Sequence, residues 1–117
     1  MRDNIVMDKS FEFSVKIVNA YKHLVQECKE FVMSKQLLRC GTSIGANITE
    51  AQRGQSKADF RAKMNIALKE AYETDYWFRL LVRTEFLTPE QFVSVDTDLQ
   101  EIISLLIAIC KTSEEKK

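Results

Sequence analysis

Seven side chains in the second half of the sequence have the types and spacing needed to bind a nucleic acid. They recur every three or four residues, which places them in one sector of a helical wheel. Four are cations that can contact phosphates, and two are tyrosines on which unpaired bases can stack. On an α-helix they would extend over about 33 Å. The seven residues are Arg61, Asn65, Lys69, Tyr72, Tyr76, Arg79 and Arg83.

The same sector also fits an ordinary polar helix face whose tyrosines are half-buried at a subunit contact. Every long surface helix has a polar side, and tyrosine is favoured at protein interfaces. The chain contains 17 Lys and Arg against 17 Asp and Glu, so its formal charge is zero, whereas strongly electrostatic nucleic-acid binders are basic. Binding of RNA or DNA would therefore need a local patch, or a patch repeated around an oligomer.

Two glycines, Gly41 and Gly45, lie four residues apart in the stretch RCGTSIGANI. A phosphate-binding loop of the Walker type needs a following Lys-Ser/Thr, and a dinucleotide fingerprint needs GxGxxG in a βαβ unit; this stretch has neither. An apolar stripe that includes Leu37, Ile44 and Ile48 passes directly through Gly41. Both glycines are therefore predicted to permit close helix packing, which offsets a helix-propensity cost of about 1 kcal/mol each.

The remaining reactive side chains do not form a recognisable catalytic or metal-binding pattern. His23, the one histidine, falls in the polar sector of the first predicted helix and is predicted to be solvated. Cys28, Cys40 and Cys110 form no CxxC pair and are predicted to be reduced core thiols of a cytoplasmic protein. There is no GxSxG or Glu-x-x-His motif, and the glutamates at 70 and 73 face outward on the predicted helix. We expect no enzyme activity, no catalytic residue, no metal site and no cofactor.

The elements that position these residues are predicted to be helices. Only one proline and three glycines interrupt a chain that is 45% hydrophobic, which indicates a single all-α domain over residues 1–117. Apolar periodicity predicts helices at about 8–28, 34–53, 57–86 and 89–112. Because the connections are short, we expect an antiparallel up-down-up-down four-helix bundle.

Several residues at the predicted helix ends have capping chemistry. Ser34 and Ser56 are predicted N-caps of the second and third helices. The segment TPEQ, residues 88–91, combines a capping-box spacing with proline at the first helical position. Gly54 is predicted to end the second helix in the left-handed conformation. Residues 113–117 are predicted to form a frayed tail.

The fourth predicted helix contains the apolar run IISLLIAIC, residues 102–110. This run is much shorter than the roughly 20 residues of a membrane span, and the first residues lack the apolar segment of a signal peptide, so no membrane association is expected. A helix in a four-helix monomer needs only one apolar face. Ile103, Ile107 and Cys110 are therefore predicted to contact a neighbouring subunit; the alternative is a fourth helix deeply enclosed within one protomer.

A long segment, residues 37–81, resembles a bacterial family of small four-helix proteins encoded by intervening sequences inside 23S ribosomal RNA genes. The most specific stretches are SIGANI, SKADF and NIALKEAYETDYW. The resemblance implies a four-helix protomer, commonly a ring-shaped homopentamer, with no established enzyme activity. It also implies a nucleic-acid role, since similar proteins that accompany diversity-generating retroelements bind nucleic acid and a reverse transcriptase.

Together, the polar stripe and the resemblance favour a non-enzymatic, cytoplasmic, ring-forming protein that binds nucleic acid, with RNA preferred. The neutral charge and the tyrosines also fit a second hypothesis, a scaffold that presents one surface several times to a protein partner. Charge reversal at Lys69, Arg79 and Arg83 distinguishes the two hypotheses, because phosphate contacts depend on these cations and a hydrophobic contact does not.

Overall fold

A computed structural model describes the backbone of residues 3–115 and the side chains of residues 5–113. Within this range the chain forms four helices and no strand, which confirms the all-helical prediction. The helices are α1 (Asp3–Gln26), α2 (Met33–Ala51), α3 (Lys57–Arg83) and α4 (Pro89–Glu115).

The four helices pack side by side into an elongated body of 47 × 22 × 21 Å, consistent with a four-helix bundle. Both α1 and α3 pack against α2 and α4, whereas the diagonal pairs do not approach each other within the described residues. Ion pairs join Lys9 to Glu101 and Lys16 to Asp98 across the boundary between α1 and α4. Each helix therefore has two covered sides, and only its remaining surface is available to other molecules.

Apolar side chains at helical spacing form one continuous core. Each fully buried Leu, Ile or Phe contributes about 1.5–3 kcal/mol relative to an exposed position, so this core is the main stabilising term. Every helix contributes large residues to it. The largest fully buried side chains include Phe13, Ile17, Leu24, Leu37, Ile44, Ile48, Met64, Phe78, Leu81, Leu99, Ile102 and Leu106.

Helices α1 and α2 come together at the two glycines. A Cβ atom added to Gly41 would lie 2.8 Å from both Cγ atoms of Ile17, which is too close for any real contact. A Cβ atom at Gly45 would lie 3.3 Å from the carbonyl oxygen of Ser10. Neither glycine has a positive φ, so the reason for glycine at both positions is space and not backbone conformation.

The start of α2 is capped by a carboxylate from the preceding connection. Glu30 is only 9% exposed, and its carboxylate accepts hydrogen bonds from the backbone N–H groups of Val32 (3.1 Å), Met33 (2.9 Å) and Ser34 (2.7 Å). The prediction of Ser34 as N-cap is wrong, because Ser34 lies inside the helix and its hydroxyl donates to the Glu30 carbonyl oxygen. A negative charge satisfies three N–H groups and complements the helix dipole, which a hydroxyl cannot do.

The other predicted caps have mixed outcomes. Ser56 is confirmed, since its Oγ accepts the Asp59 N–H at 3.1 Å. The capping box is also confirmed by reciprocal bonds of 2.8 and 3.1 Å between Thr88 and Gln91. The left-handed Gly54 is wrong, because no glycine has a positive φ; its N–H instead donates to the Ala51 carbonyl oxygen.

The helix boundaries differ from the predicted ones where buried side chains extend or end a helix. Helix α1 begins five residues before the predicted start, and Val6 in this added turn is 3% exposed. Helix α3 ends at 83 instead of 86, because Glu85 turns the chain with φ 70° and directs Leu87 into the core. Helix α4 continues past 112 to 115. Residues 116 and 117 of the predicted tail lie outside the described residues.

The predicted subunit contact on α4 requires a correction. Ile103 and Cys110 are each 7% exposed and belong to the protomer's own core, so their burial needs no neighbouring subunit. The apolar run covers several sides of α4 because the helix packs against both α1 and α3. Of the three predicted contact residues, Ile107 alone is exposed, at 44%. No helix within residues 3–115 has both the length and the apolar character needed to cross a bilayer.

The contact at Gly41 makes a testable prediction. We expect Gly41→Ala to lower the free energy of unfolding by about 1–3 kcal/mol, because the added methyl group overpacks the buried Ile17. Helix propensity alone predicts the opposite sign, a gain of about 1 kcal/mol. Urea denaturation followed by circular dichroism measures the difference. In an Ile17→Ala background the same glycine substitution should become neutral or stabilising; an equal penalty in both backgrounds would contradict this contact.

The Glu30 cap predicts a pH-dependent stability. Burial raises the pKa of Glu30, but the hydrogen bonds from the backbone N–H groups of Met33, Ser34 and Val32 together lower it by more than burial raises it. The net pKa of Glu30 therefore lies below the usual 4.5. We expect Glu30→Gln to destabilise the protein by about 1–2 kcal/mol at neutral pH. The wild-type advantage is complete above the unfolded-state pKa and is lost as the pH falls through the lowered folded-state pKa. The exposed Glu27→Gln is the control, and a pH-independent difference for Glu30→Gln would refute the cap.

Candidate nucleic-acid interface

The predicted stripe lies along the outward face of α3. Tyr72 and Tyr76 are 51% and 59% exposed, which is unusual for large aromatic side chains. Lys69, Arg79 and Arg83 are also exposed, and Arg61 is half-buried. The Asn65 amide donates to the Arg61 carbonyl oxygen at 2.9 Å, so part of its hydrogen-bonding capacity is used within the helix.

The inner face of α3 fixes this orientation. Met64, Ala67, Ala71, Phe78 and Leu81 are buried on the side opposite the stripe. The two alanines leave room for a close approach between helices, and Phe78 fills the core. Rotating α3 to bury the tyrosines would expose this apolar face to water. The outward position of the stripe therefore follows from the burial pattern of the helix.

Exposed cations that form no ion pair within the described residues also occur on the other helices, for example Lys22, Lys35 and Lys111. Four further cations form ion pairs of 2.5–3.3 Å with acids on adjacent helices, namely Lys9, Lys16, Arg39 and Lys63. On the outward face of α3, by contrast, no ion pair within the described residues involves Arg61, Lys69 or Arg83. Only Arg79 has an acidic neighbour, Asp75, at 3.5 Å. Three cations without an ion pair therefore share one helix face of a chain whose net charge is zero.

The C-terminal half of the stripe borders a surface groove of about 660 Å³ between α3 and α4. Four of the predicted residues meet here, whereas Arg61, Asn65 and Lys69 lie nearer the start of α3, outside the groove. The groove is lined by the four predicted residues Tyr72, Tyr76, Arg79 and Arg83, and also by Asp75 and Phe92.

Sequence reasoning missed both Asp75 and Phe92 as groove residues. Asp75 precedes Tyr76 and lies just off the outward face, on the side next to α4. Phe92 is in the first turn of α4, and its ring lies 6.1 Å from the ring of Phe78. Phe92 lines the groove because of the way α3 and α4 pack together, and no local pattern in the sequence specifies this packing.

The side of α3 that faces α2 carries a polar cluster instead of a binding surface. Arg39 of α2 pairs with Glu70 at 3.3 Å and with Glu73 at 2.5 Å. The Trp77 indole N–H donates to Glu73 at 3.1 Å, and this bond, followed by the Arg39 contact, lowers the pKa of Glu73. The outward position predicted for the two glutamates is therefore wrong, because both are engaged with α2.

One further pair was not expected from the sequence. The Cys28 thiol lies 3.5 Å from Nε2 of His23 and also donates to the Phe86 carbonyl oxygen at 3.4 Å. His23 was predicted to be solvated, but it is half-buried. The two residues meet because the chain turns directly after α1. Among the described residues, no group of three or more His, Cys, Asp or Glu side chains could hold a metal ion.

The fold and this surface define a class: a small all-helical protein with a cationic, aromatic face on its third helix. The family described as 23S rRNA-intervening sequence protein matches residues 2–108, so the chain belongs to that family. The resemblance seen in the sequence is thereby confirmed.

A solved structure supports the same assignment. The chain is similar to a crystal structure of a protein with unknown function from the S23 ribosomal protein family of Bacteroides thetaiotaomicron VPI-5482. The two sequences are 65% identical, the match covers 95% of this chain and 99% of that one, and the TM-score is 0.92. No curated protein sequence matches the chain.

Proposed function

We propose that this protein is a non-enzymatic, cytoplasmic accessory protein that binds RNA through the outward face of α3. One observation carries the proposal: the exposed Tyr72 and Tyr76 are flanked on the same helix face by cations, most of which form no ion pair within the described residues. Membership in a family named for 23S rRNA intervening sequences supports RNA as the nucleic acid.

The chemistry of the face favours unpaired RNA over duplex RNA. Lys69, Arg79 and Arg83 contact phosphates, while Tyr72 and Tyr76 stack on bases. Tyrosines can stack only on bases that are splayed out of a helix, because the deep major groove of A-form RNA excludes side chains. Single strands, loops and bulges are therefore the expected ligands, and affinity should depend strongly on salt.

We also propose an antiparallel up-down-up-down order and a ring-shaped homopentamer. The order is supported by the ion pairs between α1 and α4, and the pentamer by the family resemblance. The surface available for subunit contact is on α1, where Phe11 (67% exposed) and Val15 (43% exposed) are one turn apart. A ring repeats the α3 face on every subunit, so that weak patches combine by multivalency.

A second candidate function is a scaffold that displays one surface several times to a protein partner. It is favoured by Phe31 and Val32, which are 52% and 72% exposed in the connection between α1 and α2. Adjacent exposed apolar side chains in a connection are typical of a protein contact more than of a phosphate contact.

Charge reversal tests the RNA proposal. We expect the triple variant Lys69→Glu, Arg79→Glu, Arg83→Glu to lower RNA affinity at least about 100-fold at low salt, because the reversed side chains repel phosphates instead of binding them. Fluorescence anisotropy with a labelled single-stranded RNA measures the affinity across a salt series. The slope of log affinity against log salt should also become shallower by about 0.7 for each phosphate that the variant no longer neutralises.

The matched control reverses three exposed lysines on the other helices, Lys22, Lys35 and Lys111. It changes the net charge by the same amount, so an equal loss of affinity in both triple variants would indicate a general charge effect and would reject the α3 face. A wild-type protein that binds no RNA at low salt would reject RNA binding altogether and favour the scaffold.

The oligomer proposal has its own test. Multi-angle light scattering of the wild-type protein at micromolar concentration should give the mass of five subunits. We expect Phe11→Asp to reduce this mass, because a charge at the subunit contact is costly to desolvate. Val93→Asp on α4, a position that is 61% exposed, should keep the wild-type mass. A monomeric wild-type protein would exclude the ring.

A further inference from the structure

Asp75 is an anomaly on a face that gathers phosphates. Its carboxylate lies in the groove between Tyr72, Tyr76 and Arg79, and its negative charge repels any phosphate nearby. A neutral residue at this position would give a stronger phosphate-binding surface. The presence of Asp75 therefore indicates a ligand group that carries hydrogen-bond donors.

The Asp75 carboxylate retains capacity to accept hydrogen bonds. Among the residues with described side chains, its one ion pair runs from Oδ2 to Nη1 of Arg79 at 3.5 Å, longer than the 2.7–2.9 Å of a strong charge-assisted bond. Within the described residues, Oδ1 accepts no hydrogen bond. The Arg79 side chain is 70% exposed, so it can swing toward a phosphate and leave the carboxylate available.

The surroundings of the carboxylate suit a planar base. Tyr72 and Tyr76 provide exposed aromatic surfaces for stacking, and Phe92 provides an apolar wall from α4. The groove volume of about 660 Å³ is ample for one nucleotide. Arg79 and Arg83 lie on the same groove, where they can hold the flanking phosphates.

Among the four RNA bases, guanine alone offers two adjacent donors on its Watson–Crick edge, N1–H and the N2 amino group. Adenine and cytosine each pair one amino donor with a ring nitrogen acceptor, and the donor of uracil lies between two carbonyl oxygens. A carboxylate accepts only, and it can accept two bonds side by side. It therefore matches the guanine edge and repels the acceptors of the other bases.

We infer that the groove holds an unpaired guanine of the bound RNA, with the Asp75 carboxylate accepting hydrogen bonds from N1–H and the N2 amino group. Tyr72 or Tyr76 stacks on the base, and Arg79 and Arg83 contact its phosphates. The inference rests on the proposed RNA binding and adds a base preference to it. Asp75 is the residue that determines this specificity.

The test uses uridine oligonucleotides that differ at one central position: guanosine, inosine, adenosine or uridine. Fluorescence anisotropy should show at least about fivefold tighter binding of the guanosine RNA than of the adenosine RNA. Inosine lacks the N2 amino group and should be intermediate. Because Trp77, the single tryptophan, lies 5.1 Å from the Tyr76 ring, its fluorescence should change upon binding of guanosine RNA.

Asp75→Asn should abolish the guanosine preference, while its affinity for the all-uridine RNA should equal or exceed that of the wild-type protein because a negative charge is removed. The control Glu12→Gln removes one exposed negative charge on α1 and should keep the preference for guanosine RNA. Circular dichroism establishes that both variants are folded.

Each other outcome overturns the inference in a different way. Equal wild-type affinity for all four RNAs would reject the guanine preference and leave RNA binding intact. If Asp75→Asn bound every RNA more tightly by the same factor, Asp75 would act only by repelling phosphates and would not recognise guanine. The absence of binding to any oligonucleotide would remove the proposed function together with the base preference.

Discussion

The close approach of α1 to α2 is the constraint on which the rest of the bundle depends. At Gly41 the buried side chain of Ile17 occupies the space that a Cβ atom would fill, so these two helices meet at a short distance. With α2 held in this way, its other flank receives α3, whose small Ala67 and Ala71 are fully buried. The same packing turns the polar side of α3 toward water. The orientation of the face that we propose to bind RNA thus depends on Ile17 of α1 and Gly41 of α2, neither of which carries a polar side chain.

Charge placement gives the neutral chain a distinct surface without a basic composition. Ion pairs such as Lys16–Asp98 and Lys63–Glu50 lie at helix boundaries, where they are half-exposed and contribute little to stability. Their larger effect is to cancel positive charge between the helices. The outward face of α3 stays cationic because most of its basic residues have no acid within reach. The amino-acid composition counts paired cations at helix boundaries and unpaired cations on the α3 face alike, so it cannot reveal this cationic face.

Local patterns in the sequence correctly predicted those features that are determined within a single helix. Apolar periodicity gave four helices, and the short-range hydrogen bonds of Ser56 and of Thr88 with Gln91 gave two helix starts. The predictions failed where distant residues decide the outcome. Ile103 is covered within the protomer because α4 has two neighbours, and Phe92 joins the groove only because α3 and α4 pack together. Ser34 was displaced as a cap by Glu30, a carboxylate that the turn between α1 and α2 brings into reach.

The contact between Cys28 and the Phe86 carbonyl oxygen links two connections that are distant in sequence. One joins α1 to α2, and the other joins α3 to α4 and runs from Arg83 toward Phe92 at the groove. A thiol is a weak donor, so this link yields easily when either connection moves. Since the sulfur is half-buried, a bulky alkylating reagent reaches it mainly when the two connections separate. The rate at which Cys28 is alkylated therefore measures how often the α1–α2 connection separates from the α3–α4 connection.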